Sequence, residues 1–200
     1  MTDFNSRQHI RNTLRHNRRE LSPDVQLEHA KSLNILLLKL IDTFQISNPS
    51  ISVYLENDGE ISLSPFIQES WKRNFNLFLP ILDPGKENSL KFINYSHKTE
   101  LVSNRFGINE PKYQKKKCLN AQQMDIILMP LVGFDRHGHR LGMGGGFYDR
   151  SLVFITKEDT NKPILIGVAH DCQEQEIIPS EAWDIPMNYL ITNKEIIKFG

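Results

Sequence analysis

A glycine-rich stretch between two arginines carries the clearest chemical signal in the chain. Residues 140–150 read RLGMGGGFYDR, with four glycines at the five positions 142–146. Glycine is costly to order, so it often marks a place where another group must approach the backbone closely. An apolar run precedes the stretch and a helical pattern follows it. Backbone N–H groups at such a strand-to-helix turn form a site for phosphate or another anion.

The residues around these glycines indicate which kind of ligand the loop could bind. Arg140 and Arg150 flank the loop and favour an anionic ligand. Asp149 lies three residues beyond the last glycine, where a carboxylate either stabilises the helix dipole or binds Mg²⁺ beside a polyphosphate. Tyr148 is suited to contact a nucleotide or an aromatic substrate, whereas Phe147 suits the core equally well. Because the loop matches neither G-x-x-x-x-G-K-[ST] nor G-x-G-x-x-G, a flexible turn stays open as the alternative.

Two other clusters of reactive side chains have simpler interpretations. His137 and His139, with Asp135 nearby, have ligand-like spacing, but no cysteine pair completes a zinc site. His170 and Cys172 share one strand face only if the strand continues through both residues. We therefore expect no zinc site, and we expect Cys172 to be a buried, unreactive thiol rather than a nucleophile.

Alternating strands and helices must position these residues. The apolar runs at 125–134 and 164–169 do not alternate, which is typical of central parallel strands covered on both faces. The sequence therefore predicts a three-layer α/β domain with a mostly parallel central sheet and an N-terminal helical segment. The segment 105–117 is predicted to be a loop. Predicted helices cover 6–20, 22–45, 65–73 and 146–155, and predicted strands cover 51–55, 75–82, 90–95, 125–134, 164–169 and 189–192.

The overall composition excludes several classes of protein. The chain has 200 residues, with 24 Lys and Arg against 24 Asp and Glu. This length suits one domain over residues 1–200, and the balanced charge favours neither nucleic acid nor an anionic membrane as a partner. The apolar run 35–41 is too short to span a bilayer, and no signal-peptide pattern is evident. With only two cysteines, we expect a cytoplasmic protein, and we expect it to act as a monomer.

The segment Met129–Arg150, MPLVGFDRHGHRLGMGGGFYDR, resembles the signature of the 5-formyltetrahydrofolate cyclo-ligase family. The likeness extends to the Arg-rich first helix and to the segments LENDGEI, FGINEP, HDCQ and WDIP. It implies a Rossmann-like sandwich. It also implies that ATP and 5-formyltetrahydrofolate are converted, with Mg²⁺, into 5,10-methenyltetrahydrofolate, ADP and phosphate through a phosphorylated formyl (imidate) intermediate. The folate, polyglutamylated or not, is then the small-molecule partner.

The resemblance also implies where ATP and the metal bind. Arg140 and Tyr148 become the catalytic candidates, because phosphoryl transfer needs alignment and charge neutralisation more than a protein nucleophile. Asp149 and Asp184 become the Mg²⁺ ligands, although Asp184 also fits a simple turn before Ile-Pro. The implied ATP contacts are Arg7, Arg11, Arg140, Leu141, Gly142, Met143, Gly144, Gly145, Gly146, Phe147 and Tyr148.

For the folate, the resemblance implies that Glu60 binds the polar edge of the pterin, whose paired donors suit a carboxylate. Leu55 supplies a wall of the pocket, and Phe106 and Tyr148 also contact the substrate. Members of that family usually carry Lys at the start of the first helix, and many have a basic residue inside the glycine loop. Here the helix has arginine at positions 7 and 11, and the loop has Met143 and Gly145.

Two interpretations remain beside the cyclo-ligase. One is a non-catalytic α/β domain that binds a nucleotide or another phosphate, which has no need of a pterin-binding Glu60. The other is an acyl or CoA transferase, which needs a glutamate nucleophile and forms product without ATP hydrolysis. Arg15 and Arg18 are expected either on the surface or in contact with a polyglutamate tail.

Overall fold

A mixed, mostly parallel sheet of seven strands forms the centre of the protein. The computed structural model describes residues 6–156 and 162–199. Its strands are β1 (Ser50–Ser52), β2 (Asn76–Leu82), β3 (Leu90–Asn94), β4 (Leu101–Ser103), β5 (Asn109–Pro111), β6 (Ile126–Pro130), β7 (Gly133–Phe134), β8 (Arg140–Leu141), β9 (Ile164–Val168), β10 (Tyr189–Ile191) and β11 (Ile196–Lys198). Its α-helices are α1 (Arg7–Arg19), α2 (Pro23–Thr43), α3 (Ser64–Lys72) and α4 (Phe147–Leu152).

The strand order of the central sheet is β11-β10-β9-β6-β1-β2-β3. The five inner strands are parallel, and β3 and β11 pair antiparallel at the two edges. The remaining strands form two small hairpins, β4–β5 and β7–β8. The predicted α/β class with a mostly parallel sheet is therefore confirmed.

Apolar residues on the strands alternate between two cores, one on each face of the sheet. Ile126 and Leu128 of β6 belong to the core formed with α2 and α3, which includes the fully buried Leu33 and Leu37. Ile127 belongs to the opposite core, which includes residues of α4 and of the chain around 185–187. Burial on both faces explains why the run has no polar alternation.

Side-chain caps start the first two helices where the sequence predicts them. The Ser6 hydroxyl accepts a hydrogen bond from the backbone N–H of His9, and the Ser22 hydroxyl accepts one from Val25. Pro23 occupies the first turn of α2, where its missing N–H costs nothing. The amphipathic α1 buries Ile10 and Leu14 in a third, smaller apolar cluster. Among the described helices, none is both long and apolar enough to cross a membrane.

The structure divides the predicted strand 125–134 into two pieces. β6 ends at Pro130, and the following residues turn away so that β7 pairs with β8. The Leu131 carbonyl accepts hydrogen bonds from the side chains of Arg18 and Gln173, and not from the backbone of a neighbouring strand. A Cβ atom on Gly133 would lie 2.4 Å from Cδ1 of Leu14, so α1 packs directly on this turn. These long-range contacts are invisible in the local pattern.

Other boundaries also differ from the sequence prediction. The segment 105–117 is not entirely loop, because β5 lies within it and pairs with β4. The last predicted helix ends at Leu152 and continues as a 3-10 turn over Val153–Thr156. The predicted strand 51–55 is shorter, and β11 was not predicted at all. The expected hairpin between β2 and β3 is present.

Candidate active site

A cleft of about 1320 Å³ opens at the carboxyl ends of β1, β2 and β6. Ligands of open α/β sheets bind at this end of the strands. The cleft brings together fifteen of the sixteen residues predicted to be functional. They are Arg7, Arg11, Leu55, Glu60, Phe106, Arg140, Gly142, Met143, Gly144, Gly145, Gly146, Phe147, Tyr148, Asp149 and Asp184.

Leu141 is the exception among the predicted ATP contacts. Its side chain is fully buried in the small cluster that contains Ile10, Leu14, Val132 and Ile178, and it does not line the cleft. β8 places Arg140 and Leu141 on opposite faces, since neighbouring residues of a strand alternate. The ATP contact predicted at Leu141 stays a prediction for its backbone, because its side chain anchors the loop to the core.

Two positions of the loop require glycine because their backbone φ angles are positive. Gly144 has φ +98° and Gly146 has φ +65°, both in the region that other residues rarely adopt. A Cβ atom on Gly146 would also lie 2.6 Å from Nη1 of Arg150. That same nitrogen donates a hydrogen bond of 2.5 Å to the Gly145 carbonyl. Arg150 therefore holds the loop backbone.

The other two loop glycines differ in their surroundings. A Cβ atom on Gly145 would lie 2.6 Å from Cε2 of Phe147, whereas no atom lies within 4 Å of a Cβ built on Gly142. The Phe147 ring meets the half-exposed Phe106 edge-on, with 5.7 Å between ring centroids. Among the four loop glycines, Gly142 is thus the one that leaves open space for a ligand against the backbone.

Arg140 and Asp149 form an ion pair inside the cleft. Arg140 is only 8% exposed, and its Nη2 donates to Oδ1 of Asp149. The same oxygen accepts the backbone N–H of Ile185, with 3.2 Å between N and O. Burial lowers the pKa of the Arg140 guanidinium, and the charges of Asp149 and Asp184 oppose this shift. The buried guanidinium therefore depends on both carboxylates for charge balance.

A second ion pair joins helix α1 to the other predicted metal ligand. Arg7 Nη1 lies 2.9 Å from Oδ2 of Asp184. One helical turn later, Arg11 Nε donates a 2.8 Å hydrogen bond to the Gly142 carbonyl. Burial lowers the pKa of Arg11, and the charge of Arg7 adds to this effect. Arg11 thus holds α1 against the glycine loop, Arg7 joins α1 to Asp184, and both arginines line the same cleft.

The carboxylates available for a metal suit Mg²⁺ bound with phosphate. Within residues 6–156 and 162–199, no group of three or more His, Cys, Asp and Glu side chains is placed to hold an ion. Asp149 and Asp184 nevertheless lie at one corner of the cleft, since Asp149 bonds to the residue that follows Asp184. Mg²⁺ is usually held by one or two carboxylates together with substrate phosphates. The donor set therefore fits a metal that arrives with a nucleotide.

Glu60 is a largely enclosed carboxylate in the wall of the cleft, with 13% of its side chain exposed. Its Oε2 accepts the backbone N–H of Asn57 at 3.1 Å, and its Oε1 lies 3.7 Å from Nη2 of Arg18. Burial raises the pKa of Glu60 to about 7, and the charge of Arg18 opposes the rise. Tyr148 lies close enough for the charge of Glu60 to affect it, and burial raises the pKa of the Tyr148 hydroxyl far above its usual value.

Arg15 and Arg18 were expected on the surface or in contact with a polyglutamate tail. This is wrong for Arg18 and incomplete for Arg15. Arg18 is fully buried and donates to the Asp58 backbone and side chain. Arg15 lines the cleft, with its Nε 2.7 Å from Oδ2 of Asp58. Arg19 donates to the other oxygen of the same carboxylate. Burial alone raises the pKa of Asp58, but the three arginines outweigh it and lower the pKa to about 2.

The remaining histidine clusters have structural roles. Oδ1 of the buried Asp135 accepts the backbone N–H groups of His137 and His139, and its Oδ2 accepts that of Ile178. This carboxylate therefore shapes the β7–β8 turn. Cys172 is half-buried rather than buried, and burial raises the pKa of its thiol, as expected for an unreactive cysteine.

Some cleft residues were missed by sequence reasoning. Trp183 lines the cleft and is 68% exposed, an unusual position for a tryptophan. Its place beside Asp184 in the segment AWDIP was the available signal. Glu110 accepts hydrogen bonds from the Leu82 backbone and the Asn104 side chain, and so fixes the β4–β5 hairpin beside the cleft. The spacing of Leu82, Asn104 and Glu110 in the sequence did not indicate these hydrogen bonds.

Comparisons with known proteins agree with this geometry. A model of the 5-formyltetrahydrofolate cyclo-ligase family matches residues 3–193. The chain is 37% identical over 183 residues to the 5-formyltetrahydrofolate cyclo-ligase of Escherichia coli, covering 92% of this chain and 98% of the relative. It is 41% identical over 182 residues to that of Haemophilus influenzae, covering 90% and 94%.

Solved structures extend the likeness to three dimensions. The structure of Aquifex aeolicus 5,10-methenyltetrahydrofolate synthetase superposes with a TM-score of 0.78 at 30% identity, covering 96% of this chain and 92% of that chain. The Mycoplasma pneumoniae synthetase, at 22% identity and a TM-score of 0.73, covers 94% and 99% and supports the fold alone. The ligase class predicted from the sequence is confirmed, and the chain belongs to the 5-formyltetrahydrofolate cyclo-ligase family.

Proposed function

We propose that this protein converts 5-formyltetrahydrofolate and ATP, with Mg²⁺, into 5,10-methenyltetrahydrofolate, ADP and phosphate. One observation carries the proposal. A single cleft contains two arginine–carboxylate pairs beside a glycine loop and also a buried glutamate suited to a heterocycle with paired donors. The first feature serves a metal-bound triphosphate, and the second serves a pterin. A domain that bound only phosphate would need the first feature alone.

Binding of Mg²⁺ and ATP would exchange the partners of the two ion pairs. Arg140 is paired with Asp149, and Arg7 is paired with Asp184. Arginine binds phosphate oxygens as well as it binds carboxylates, and Mg²⁺ prefers oxygen ligands. Phosphate can therefore take the arginines while the metal takes the carboxylates. Each charge then keeps an opposite partner throughout, which avoids the cost of leaving the buried Arg140 unpaired.

The chemical step needs positioning more than a protein nucleophile. The formyl oxygen attacks the γ-phosphorus, and the bond from that phosphorus to the β–γ bridging oxygen breaks to release ADP. The N10 nitrogen then attacks the phosphorylated formyl carbon, and phosphate leaves as the ring closes. Arg140 stabilises negative charge on the transferred group, and Asp149 and Asp184 would hold the Mg²⁺ that supplies further charge neutralisation.

Tyr148 and Glu60 orient the organic substrate. The Tyr148 hydroxyl is protonated at neutral pH, as an ordinary phenol is, so it can donate a hydrogen bond to a ligand in the cleft. Glu60 accepts the paired donors of the pterin edge, and Leu55 and Phe106 supply apolar walls. The folate carries one or several glutamates. We propose further that the chain acts as a single-domain, cytoplasmic monomer, which size-exclusion chromatography of the purified protein would test for the oligomeric state.

Ligand-dependent thermal unfolding separates the proposal from its rivals. A cyclo-ligase is stabilised both by ATP with Mg²⁺ and by 5-formyltetrahydrofolate, because each binds the native state. Stabilisation by ATP alone would support the non-catalytic nucleotide-binding domain. Formation of a folate product without consumption of ATP would support the transferase. A matched sample with ADP in place of ATP controls for nucleotide binding without phosphoryl transfer.

A further inference from the structure

The buried guanidinium of Arg18 connects three separate parts of the cleft wall. Its Nε donates to the Asp58 carbonyl at 2.8 Å, and its Nη2 donates to Oδ2 of Asp58 at 3.0 Å. Its Nη1 donates to the Leu131 carbonyl at 2.9 Å, just beyond β6. Glu60 Oε1 lies 3.7 Å from Nη2. The fully buried guanidinium therefore ties the end of α1 to the 57–60 turn and to the end of β6.

The negative charge of Asp58 does not neutralise Arg18 completely. Its single carboxylate is shared with Arg15 and Arg19, which donate to it from the exposed side. Three positive charges therefore meet one negative charge, and an excess of positive charge remains. Glu60 is the nearest further carboxylate to Arg18. The cluster thus acts on Glu60 as a fixed cation acts on a neighbouring carboxylate.

The turn that carries Glu60 is also shaped against Arg18. Gly59 has φ +76°, and a Cβ atom there would lie 3.2 Å from the Arg18 carbonyl oxygen. The Glu60 N–H closes the turn by donating to the Asn57 carbonyl at 3.0 Å. The path of the backbone into Glu60 therefore depends on the end of α1.

We propose that Arg18 is a positioning residue for folate binding, which holds the 57–60 turn against β6, directs the Glu60 carboxylate into the cleft and favours its charged form. The inference rests on the proposed function, because it concerns the residue assigned to the pterin. Arg18 itself touches no ligand; it acts through Glu60.

Apart from Arg18, the backbone N–H of Asn57 favours the ionised form of Glu60, and the neighbouring carboxylates oppose it. Asp58 and Glu56 on its own segment add negative charge, whereas Tyr54 and Tyr148, whose pKa values are raised by burial, are neutral. Burial raises the pKa of Glu60 to about 7 even with Arg18 present. Loss of Arg18 would raise this pKa further, so that the carboxyl would be protonated at neutral pH. A protonated carboxyl is itself a donor and cannot accept both donors of a pterin edge.

Calorimetric titration of the full-length protein with 5-formyltetrahydrofolate between pH 6 and 9 tests this inference. In Arg18→Gln, a rise of at least one unit in the pKa of Glu60 weakens folate binding about fivefold at pH 7 and restores it to within about twofold of wild type at pH 9. Arg18→Lys keeps the charge and is the matched control, with a smaller shift of the pH profile. The dissociation constant for ATP changes less than about twofold in both variants.

A double-mutant cycle separates the electrostatic role from general loss of structure. In a Glu60→Gln background, where position 60 cannot ionise, Arg18→Gln should change folate affinity less than about twofold at every pH. An equal loss in both backgrounds, or an unshifted pH profile in Arg18→Gln, would overturn the inference. If wild type binds no 5-formyltetrahydrofolate at all, the proposed function fails first, and that result is distinguishable.

Asp58→Asn provides a test that does not require removal of the buried arginine. It leaves Glu60 as the sole carboxylate within reach of Arg18 and removes one negative neighbour, so the pKa of Glu60 falls. The midpoint of the folate-binding profile should move at least half a unit toward lower pH, the opposite direction from Arg18→Gln. A midpoint that stays in place or moves upward would contradict the proposal even if Arg18→Gln fails to fold.

Discussion

Arg140 donates a hydrogen bond to Asp149, and this ion pair closes the two ends of the glycine loop on each other. The two residues are nine positions apart, and the loop between them faces the cleft. The pairing explains why a carboxylate follows the glycines so closely. Asp149 balances the charge of a buried arginine, and in the proposed complex it becomes available to the metal.

Asp149→Asn should remove Mg²⁺-dependent turnover by at least about 100-fold, because a neutral amide is a poor ligand for Mg²⁺ and cannot balance Arg140. The asparagine oxygen can still accept the Ile185 N–H, so the fold should persist. Turnover as a function of Mg²⁺ concentration measures the effect, and circular dichroism monitors the fold. Wild-type turnover in the variant would remove Asp149 from the metal role.

Glu60→Gln should raise the KM for 5-formyltetrahydrofolate about ten- to 100-fold, since a charge-assisted hydrogen bond contributes about 1.5–3 kcal/mol. The KM for ATP should change less than about twofold. Steady-state kinetics with each substrate varied in turn give both values. Equal effects on the two KM values would contradict the assignment of Glu60 to the pterin.

Met143→Lys should lower the KM for ATP about three- to tenfold, equivalent to about 1 kcal/mol, by adding a cation to the loop. Position 143 is half-exposed and lines the cleft, so a longer side chain is accommodated there. The gain should shrink at high salt, and Met143→Gln, which adds no charge, is the control. The same lysine at position 145 should instead disrupt the loop, because any Cβ there meets the Phe147 ring. A KM for ATP that rises in Met143→Lys would exclude phosphate from this part of the loop.

The stabilisation that ionised Asp58 gives to the folded protein should be lost in acid. Its folded-state pKa of about 2 lies below the value of about 3.9 in an unfolded chain. Its contribution is therefore complete above about pH 5 and is lost as the pH falls toward 2. Screening by solvent leaves about 1–2 kcal/mol for this partly enclosed group. Urea unfolding of wild type and Asp58→Asn at pH 6 and pH 3 measures it: the difference in unfolding free energy should narrow at pH 3, and an unchanged difference would refute the effect.

The parts of the fold that were predictable are those encoded by short-range patterns. The Ser22-Pro23 start of α2 and the apolar runs of β6 and β9 depend on neighbouring residues, so their positions follow from the sequence. Most candidate site residues were found because they belong to contiguous motifs. Their joint presence in one cleft follows from parallel strands whose carboxyl ends meet at one edge.

The unpredicted features all depend on partners far away in the chain. Arg18 has the spacing of a solvent-facing arginine, and only its bonds to Asp58 and Leu131 reveal that it is buried. Leu141 lies inside a ligand-binding motif, yet the strand alternation of β8 turns it into the core. Trp183 is exposed in the cleft although tryptophan is usually enclosed. Helical or strand periodicity contains no information about such tertiary contacts.

The most direct test of the central claim is a single-turnover measurement with stoichiometric protein, 5-formyltetrahydrofolate, ATP and Mg²⁺. We expect one equivalent of ADP and one of methenyl product to appear together. Omission of ATP, of Mg²⁺ or of the folate should abolish both products. Methenyl product formed without ATP, or ADP formed without any folate product, would contradict the proposed cyclo-ligase reaction.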